Sequence, residues 1–166
     1  MSMDLFLIRH AEAYEKETGG KDIDRGLTSD GIQNATRTGY FFQQNGIQPD
    51  IMISSPAVRA RETATLIAEQ LKYETNQIHY NDELYEASVR NLLMAITNLK
   101  STWSQVFIVA HNPSISYIAE YITQSELGSV VPAGFVQIHF PFEEWAQVSE
   151  ATGDLKKVKD PVSYKF

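Results

Sequence analysis

The sequence contains no cysteine among its 166 residues. This absence excludes disulfide bonds, thiolate nucleophiles and cysteine-ligated metal sites. The apolar runs are short, and none reaches the roughly 20 residues that a membrane-spanning helix needs. The first four residues carry no basic charge, and the apolar run at 5–8 ends at Arg9, so the start of the chain does not resemble an export signal. We therefore expect a cytoplasmic protein that has no membrane partner.

Basic residues are also few, because 14 Lys and Arg stand against 21 Asp and Glu, a formal net charge of −7. A negative surface repels nucleic acid and anionic membranes, so neither is an expected partner. It also repels phosphorylated substrates, and a phosphate site would need a local group of arginines and helix N-termini. The 4 histidines include no His-x-x-x-His pair, and we expect neither a metal site nor a cofactor.

Apolar runs alternate with helical patterns along the chain. Buried strands are predicted at 3–9, 50–54 and 105–110, and a further short strand is predicted near 77–80. Helices are predicted at 28–45, from Ser55-Pro56 to about 71, at 88–100 and from Asn112-Pro113 to about 123, with Ser55 and Asn112 as N-caps. Alternation at 134–140 predicts a half-buried strand with an exposed edge, which 145–152 could join before a charged tail at 153–160. This order predicts an α/β fold with a mostly parallel sheet and an antiparallel edge region, within one domain over 1–166.

Histidines and arginines follow three of the predicted strands. Arg9 and His10 end the first, Arg59 lies in the first turn after the second, and His111 follows the third. Since parallel strands end at one edge of a sheet, these side chains are expected to meet there. Arginines can hold a phosphoryl group bidentately, and a neutral imidazole can attack phosphorus while a backbone carbonyl holds its other nitrogen. A second histidine, protonated beside the bound anion, can stabilise the phosphoryl oxygens.

Four segments resemble those of the histidine phosphatase (phosphoglycerate mutase-like) superfamily, in the family's order. They are residues 7–12 (LIRHAE), 27–31 (LTSDG), 54–64 (SSPAVRARETA) and 109–113 (VAHNP). The resemblance, which runs from about residue 3 to residue 140, implies a three-layer α/β/α sandwich. It also implies that His10 is a transiently phosphorylated nucleophile, that Arg9, Arg59 and His111 complete a phosphate pocket, and that Asn112 binds substrate.

The short chain and its charged tail look most like the SixA-type phosphohistidine phosphatase branch, which lacks long insertions over the site. The expected substrate is therefore phosphohistidine on a protein, cleaved without a metal. Two alternatives remain: a phosphatase or mutase acting on small phosphate esters, and a catalytically silent phosphoprotein-binding module. The second is suggested by Ala11 and Ala110, which replace glycines of the family pattern.

The proton donor is the least defined role. Glu86 lines up with the family's acid, Glu83 is a nearby alternative, and a phosphohistidine substrate could need neither. Several other residues are expected to have structural or solvent roles: Ser54 and Ser55 as caps, Arg61 as a solvated or ion-paired residue, His79 and His139 as ordinary histidines, and Lys21 and Arg25 as parts of a solvated loop near the pocket mouth.

Overall fold

A computed structural model describes residues 2–163 of the chain. Met1 and residues 164–166, which belong to the predicted domain, lie outside the described residues. The described part contains a six-stranded sheet with strand order β3-β2-β4-β1-β5-β6. Its strands are β1 Met3–Arg9, β2 Ile51–Ser54, β3 His79–Tyr80, β4 Gln105–Ala110, β5 Phe135–Phe140 and β6 Asp154–Lys159. Its α-helices are α1 Ser29–Gln44, α2 Val58–Leu71, α3 Val89–Thr97 and α4 Ser114–Thr123.

Strand β1 lies in the middle of the sheet and is buried on both faces. Leu5 and Leu7 pack in one apolar cluster with residues of α3 and α4, whereas Phe6 and Ile8 pack in a second cluster with residues of α1 and α2. Successive side chains of a strand point to opposite faces, so a strand covered by helices on both sides is a continuous apolar run. The three-layer α/β/α sandwich is confirmed.

Two helices begin later than predicted. Helix α2 has Ala57 as its N-cap, and α4 has Pro113, in neither case with a side-chain cap. The predicted caps Ser55 and Asn112 are wrong because both residues lie before the N-cap of the helix that follows. The Ser55 hydroxyl accepts from the Ala57 N–H at 3.2 Å and contacts His111 Nε2, while Asn112 Nδ2 donates to the Val130 oxygen. In contrast, α1 begins as predicted, since the Thr28 hydroxyl accepts a hydrogen bond from the Gly31 backbone N–H.

The predicted antiparallel region is present, with β5 at the predicted position, but its edge strand and its pairing partner differ from the prediction. Strand β5 pairs with β1 on one side and with β6 on the other, so it is not an exposed edge. The edge strand is β6, which lies in the predicted charged tail, while the predicted partner region at 145–152 contains a short 3-10 helix, Trp145–Gln147. Lysines are common on edge strands, and Lys157 and Lys159 of β6 place their ammonium groups 5.7 Å from the Phe41 ring. Among residues 2–163, no helix combines the length and apolar character needed to span a bilayer.

Candidate active site

The carboxyl ends of the parallel strands meet at one edge of the sheet. Arg9 at the end of β1 pairs with Ala110 at the end of β4, and Ser54 at the end of β2 pairs with Val109. This register brings the segments after three strands together, although they lie far apart in the sequence. Ligands bind at this edge in open α/β sheets.

A cavity of about 290 Å³ opens at this edge. Its walls carry every site residue that the sequence predicted, together with two further residues, Arg25 and Tyr85. The lining consists of Arg9, His10, Arg25, Arg59, Tyr85, Glu86, His111 and Asn112. The cavity therefore gathers three guanidinium groups and two imidazoles in a protein whose net charge is negative.

The His10 ring is held in one tautomer. Its Nδ1 lies 2.8 Å from the Ala11 carbonyl oxygen, which can only accept, so Nδ1 carries the hydrogen and Nε2 keeps its lone pair. Burial lowers the pKa of His10 to about 4, and the charges of Arg59, Arg9 and Arg25 lower it as well, while the hydrogen bond to Ala11 opposes this shift. The imidazole is therefore neutral at pH 7 and can act as a nucleophile through Nε2.

His111 faces His10 across the cavity, with the two ring centroids 5.1 Å apart. Its Nε2 lies 2.7 Å from the Ser55 hydroxyl, a contact that fixes the orientation of the ring. Burial lowers the pKa of His111 to about 3, with further lowering from His10 and Arg59 that outweighs the raising effect of Asp22. His111 is thus neutral at pH 7, and the predicted protonated form would require a bound anion to raise its pKa.

One loop carbonyl ties Arg9 to Asn112. The Val130 oxygen accepts hydrogen bonds from Arg9 Nη1 at 2.9 Å and from Asn112 Nδ2 at 3.0 Å. Asn112 Nδ2 also donates to the Ser129 hydroxyl, and its Oδ1 accepts from Ser116. Both amide hydrogens of Asn112 are therefore used within the protein. Although Asn112 lines the cavity, its side chain has no spare donor for a substrate and instead fixes the loop that orients Arg9.

Asp22, which the sequence analysis did not single out, contacts three residues of the cavity wall. Its carboxylate accepts hydrogen bonds from Arg59 Nη2 at 3.0 Å, Arg25 Nη1 at 2.9 Å and the Tyr85 hydroxyl at 2.7 Å. Its backbone oxygen accepts from Arg59 Nη1 at 2.9 Å. The hydrogen bond from Tyr85, followed by those from Arg25 and Arg59, holds the pKa of Asp22 well below its usual range. Asp22 in turn raises the pKa of Tyr85 to about 12.

Arg25 also differs from its prediction. The expectation of a solvated loop residue is wrong, because its guanidinium binds Asp22 and the Tyr14 carbonyl oxygen and lines the cavity. No local pattern identified Asp22 or Tyr85. The one available signal was their position, since Asp22 lies in the loop after the first strand and Tyr85 directly precedes Glu86.

The two glutamates considered as proton donors lie in different places. Glu86 lines the cavity, whereas Glu83 lines a separate groove beside β3 and α3. Glu86 has a φ of 53°, in the left-handed region that residues with a side chain seldom adopt. Of the two carboxyl groups, Glu86 is the one placed to reach a bound substrate.

The alanines that replace family glycines lie outside the lining of the cavity. Ala11 and Ala110 are both fully buried in apolar clusters and are not among the residues that line the cavity. Neither has a positive φ, so the methyl groups cause no backbone strain. The Ala11 N–H donates to the Thr63 hydroxyl at 2.9 Å, which fixes the backbone beside His10.

Gly31 illustrates why one glycine of the predicted pattern is needed. A methyl group at this position would overlap the backbone oxygen of Glu12, two residues after His10. The start of α1 can therefore approach the segment that follows His10. The residues described by the structure contain no group of three or more His, Asp or Glu side chains arranged to hold a metal ion.

The sequence comparison decides the family. The family model of the histidine phosphatase superfamily (branch 1) matches residues 5–94, more than half of the chain. The chain belongs to the histidine phosphatase superfamily. The match includes β1 with Arg9 and His10, the Asp22 loop, α1, α2 with Arg59, and Glu86.

Individual relatives extend this result. Serine/threonine-protein phosphatase Pgam5, mitochondrial, of Drosophila ananassae is 36% identical over 74 residues, which is 45% of this chain but only 25% of that protein. A candidate phosphohistidine phosphatase SixA from Nakamurella multipartitia is 26% identical, with a TM-score of 0.81 and 98% of both chains covered. The protein histidine phosphatase SixA in complex with tungstate has the same fold, with a TM-score of 0.81 at 18% identity.

Proposed function

We propose that this protein is a phosphatase that removes phosphate from phosphohistidine on another protein, through a phosphorylated His10. The main support for this proposal is the hydrogen bond from His10 Nδ1 to the Ala11 carbonyl oxygen. This bond leaves Nε2 as a free nucleophile inside a cavity with three arginines. The likeness to SixA over 98% of both chains supports the choice of substrate class.

In the first step, His10 Nε2 attacks phosphorus and the bond from phosphorus to the substrate nitrogen breaks. The leaving imidazole takes the bonding electron pair, and because its other ring nitrogen already carries a proton, it departs as a neutral ring. His10 becomes positively charged as the new bond forms, and the Ala11 carbonyl oxygen stabilises that charge through the Nδ1 hydrogen.

Arginines and His111 bind the phosphoryl oxygens during this transfer. Arg9, Arg25 and Arg59 supply positive charge, and proximity to the phosphoryl dianion raises the pKa of His111 so that it donates a hydrogen bond to an equatorial oxygen. Positioning and charge are the main contributions that phosphoryl transfer needs from a protein. We therefore propose a reaction that uses no metal ion.

In the second step, water attacks the phosphorus of phosphorylated His10. The bond between Nε2 and phosphorus breaks, inorganic phosphate leaves, and the neutral imidazole is regenerated. The match to SixA over the whole of both chains supports a site without a long insertion over it, which suits a phosphate presented by a protein. A mutase would instead need to keep its phosphorylated histidine from water.

The test is turnover of a phosphohistidine protein, with rapid quenching and mass spectrometry to locate phosphate on the enzyme. Wild-type protein should release phosphate over many turnovers and carry phosphate on His10 early in the reaction. His10→Ala should do neither, while His79→Ala, a histidine outside the cavity, should behave as wild type. Multiple turnovers by His10→Ala would reject this mechanism, and tight binding without turnover by wild type would indicate a binding module.

A second candidate function is the cleavage of phosphoserine or phosphothreonine. Glu86 in the cavity wall favours it, because an alkoxide leaving group needs a proton donor, and the Pgam5 relative is named a serine/threonine-protein phosphatase. Glu86→Gln should then reduce monoester cleavage by a factor of about 10² or more. The same change should affect phosphohistidine cleavage little, and equal losses on both substrates would contradict this division of roles.

A further inference from the structure

A carboxylate outside the lining of the phosphate cavity binds three residues of its wall. Asp22 lies in the short 3-10 helix Asp22–Asp24 and accepts two hydrogen bonds from Arg59, one through its carboxylate and one through its backbone oxygen. The same carboxylate accepts from Arg25 and from the Tyr85 hydroxyl. Two of the three arginines that line the cavity are therefore paired with one carboxylate.

Arg59 needs this partner because it is buried. The residue is 6% exposed, and a buried guanidinium without a counter-ion is strongly destabilising. Asp22 is the only carboxylate within salt-bridge distance of Arg59 among the described residues. In the absence of substrate, this contact keeps the charge of Arg59 compensated.

The contact leaves Arg59 able to bind a second anion. A guanidinium has five N–H donors, and Asp22 uses one on each of the two terminal nitrogens. Arg59 Nε is buried and has no hydrogen-bond partner among residues 2–163, and the same is true of Arg9 Nε. Each terminal nitrogen of Arg59 keeps a second N–H, so a phosphoryl group can bind Arg59 while Asp22 remains in place, although the two anions repel each other.

We infer that Asp22 is the resident counter-ion of the phosphate pocket: it holds Arg25 and Arg59 in place in the free protein, and its negative charge weakens the binding of phosphate. The inference rests on the proposed function, since it assigns the cavity to phosphate. Asp22 is thus a positioning residue that also sets affinity. By weakening the retention of inorganic phosphate, it favours release of the product.

The test is the dissociation constant of inorganic phosphate, measured by isothermal titration calorimetry on the full chain. Asp22→Asn keeps the size and one oxygen acceptor but removes the charge, and should bind phosphate about ten- to a hundredfold more tightly than wild type. The matched control is Asp24→Asn, which removes the same charge from an exposed residue of the same 3-10 helix. This control should bind phosphate within about twofold of wild type.

Asp22→Glu restores the charge and should return the dissociation constant toward the wild-type value. If Asp22→Asn folds poorly, inorganic phosphate should restore its folded state, because the added anion replaces the missing counter-ion of Arg59. Failure of saturating phosphate to do so would overturn the inference. A merely structural role for Asp22 predicts weaker phosphate binding by Asp22→Asn, and that result would also overturn it.

If Asp22→Asn and Asp24→Asn increase the affinity for phosphate equally, the effect is one of net charge, and the specific counter-ion role of Asp22 is rejected. The proposed function is tested by different measurements, namely phosphorylation of His10 and turnover, so its failure can be told apart from failure of the counter-ion role. If His10→Ala retains turnover while Asp22→Asn binds phosphate more tightly, the mechanism fails and the counter-ion role stands. If wild type becomes phosphorylated on His10 but Asp22→Asn gains no affinity, the counter-ion role fails alone.

Discussion

The low pKa of His10 predicts an unusual dependence of activity on pH. A histidine with the ordinary pKa of 6.5 would be neutral in only about 3% of molecules at pH 5, whereas a pKa of about 4 keeps about 90% of them neutral. Because only the neutral ring can attack phosphorus, kcat/KM at pH 5 should stay close to its value at pH 7. An ordinary histidine would instead lose a factor of about 25 over the same range.

The measurement is kcat/KM from pH 4 to 8 at constant ionic strength, corrected for titration of the substrate. NMR titration of the His10 ring in phosphate-free buffer provides the same pKa independently of any substrate. Arg25→Gln removes one of the charges that lower the pKa, so its acid limb should move upward, while Asp24→Asn should leave it in place. An acid limb near pH 6.5 in wild type, together with the same value by NMR, would refute the buried and cation-lowered state of His10.

Three further predictions concern stability and the positioning of the site. Between pH 6.5 and about 4, His10 and His111 take up protons only in the unfolded state, so their contribution to the free energy of unfolding is complete above pH 6.5 and falls by about 1.4 kcal/mol per histidine for each pH unit below it. Urea unfolding at a series of pH values should show this fall, and His111→Asn should make it smaller. Thr63→Val leaves the buried Ala11 N–H without its acceptor and should lower the free energy of unfolding by about 1–3 kcal/mol. Thr63→Ser keeps a hydroxyl and should lower the free energy of unfolding much less. Equal stability of the valine variant and wild type would contradict this role of Thr63. Ser55→Ala frees the ring of His111 and should lower kcat about tenfold in steady-state kinetics, a result that an unchanged kcat would disprove.

Local patterns predicted the strands that lead into His10 and His111. Strands β1 and β4 have the predicted limits because both are buried on two faces and therefore consist of uninterrupted apolar residues. Strand β6 was missed for the opposite reason. It is an edge strand with exposed residues at every second position, and its lysines resemble a charged tail when read alone.

In the site too, some features follow from the local sequence and others only from tertiary packing. The sequence by itself determined which residues end each strand, and hence that His10, Arg9, Arg59 and His111 would come to one edge of the sheet. Only the tertiary structure decided the tautomer of His10 and the place of Asp22, which lies 37 residues from Arg59 and 63 residues from Tyr85 along the chain. Hydrogen bonds over such separations depend on how loops pack against the sheet, and no periodic pattern in the sequence records that packing.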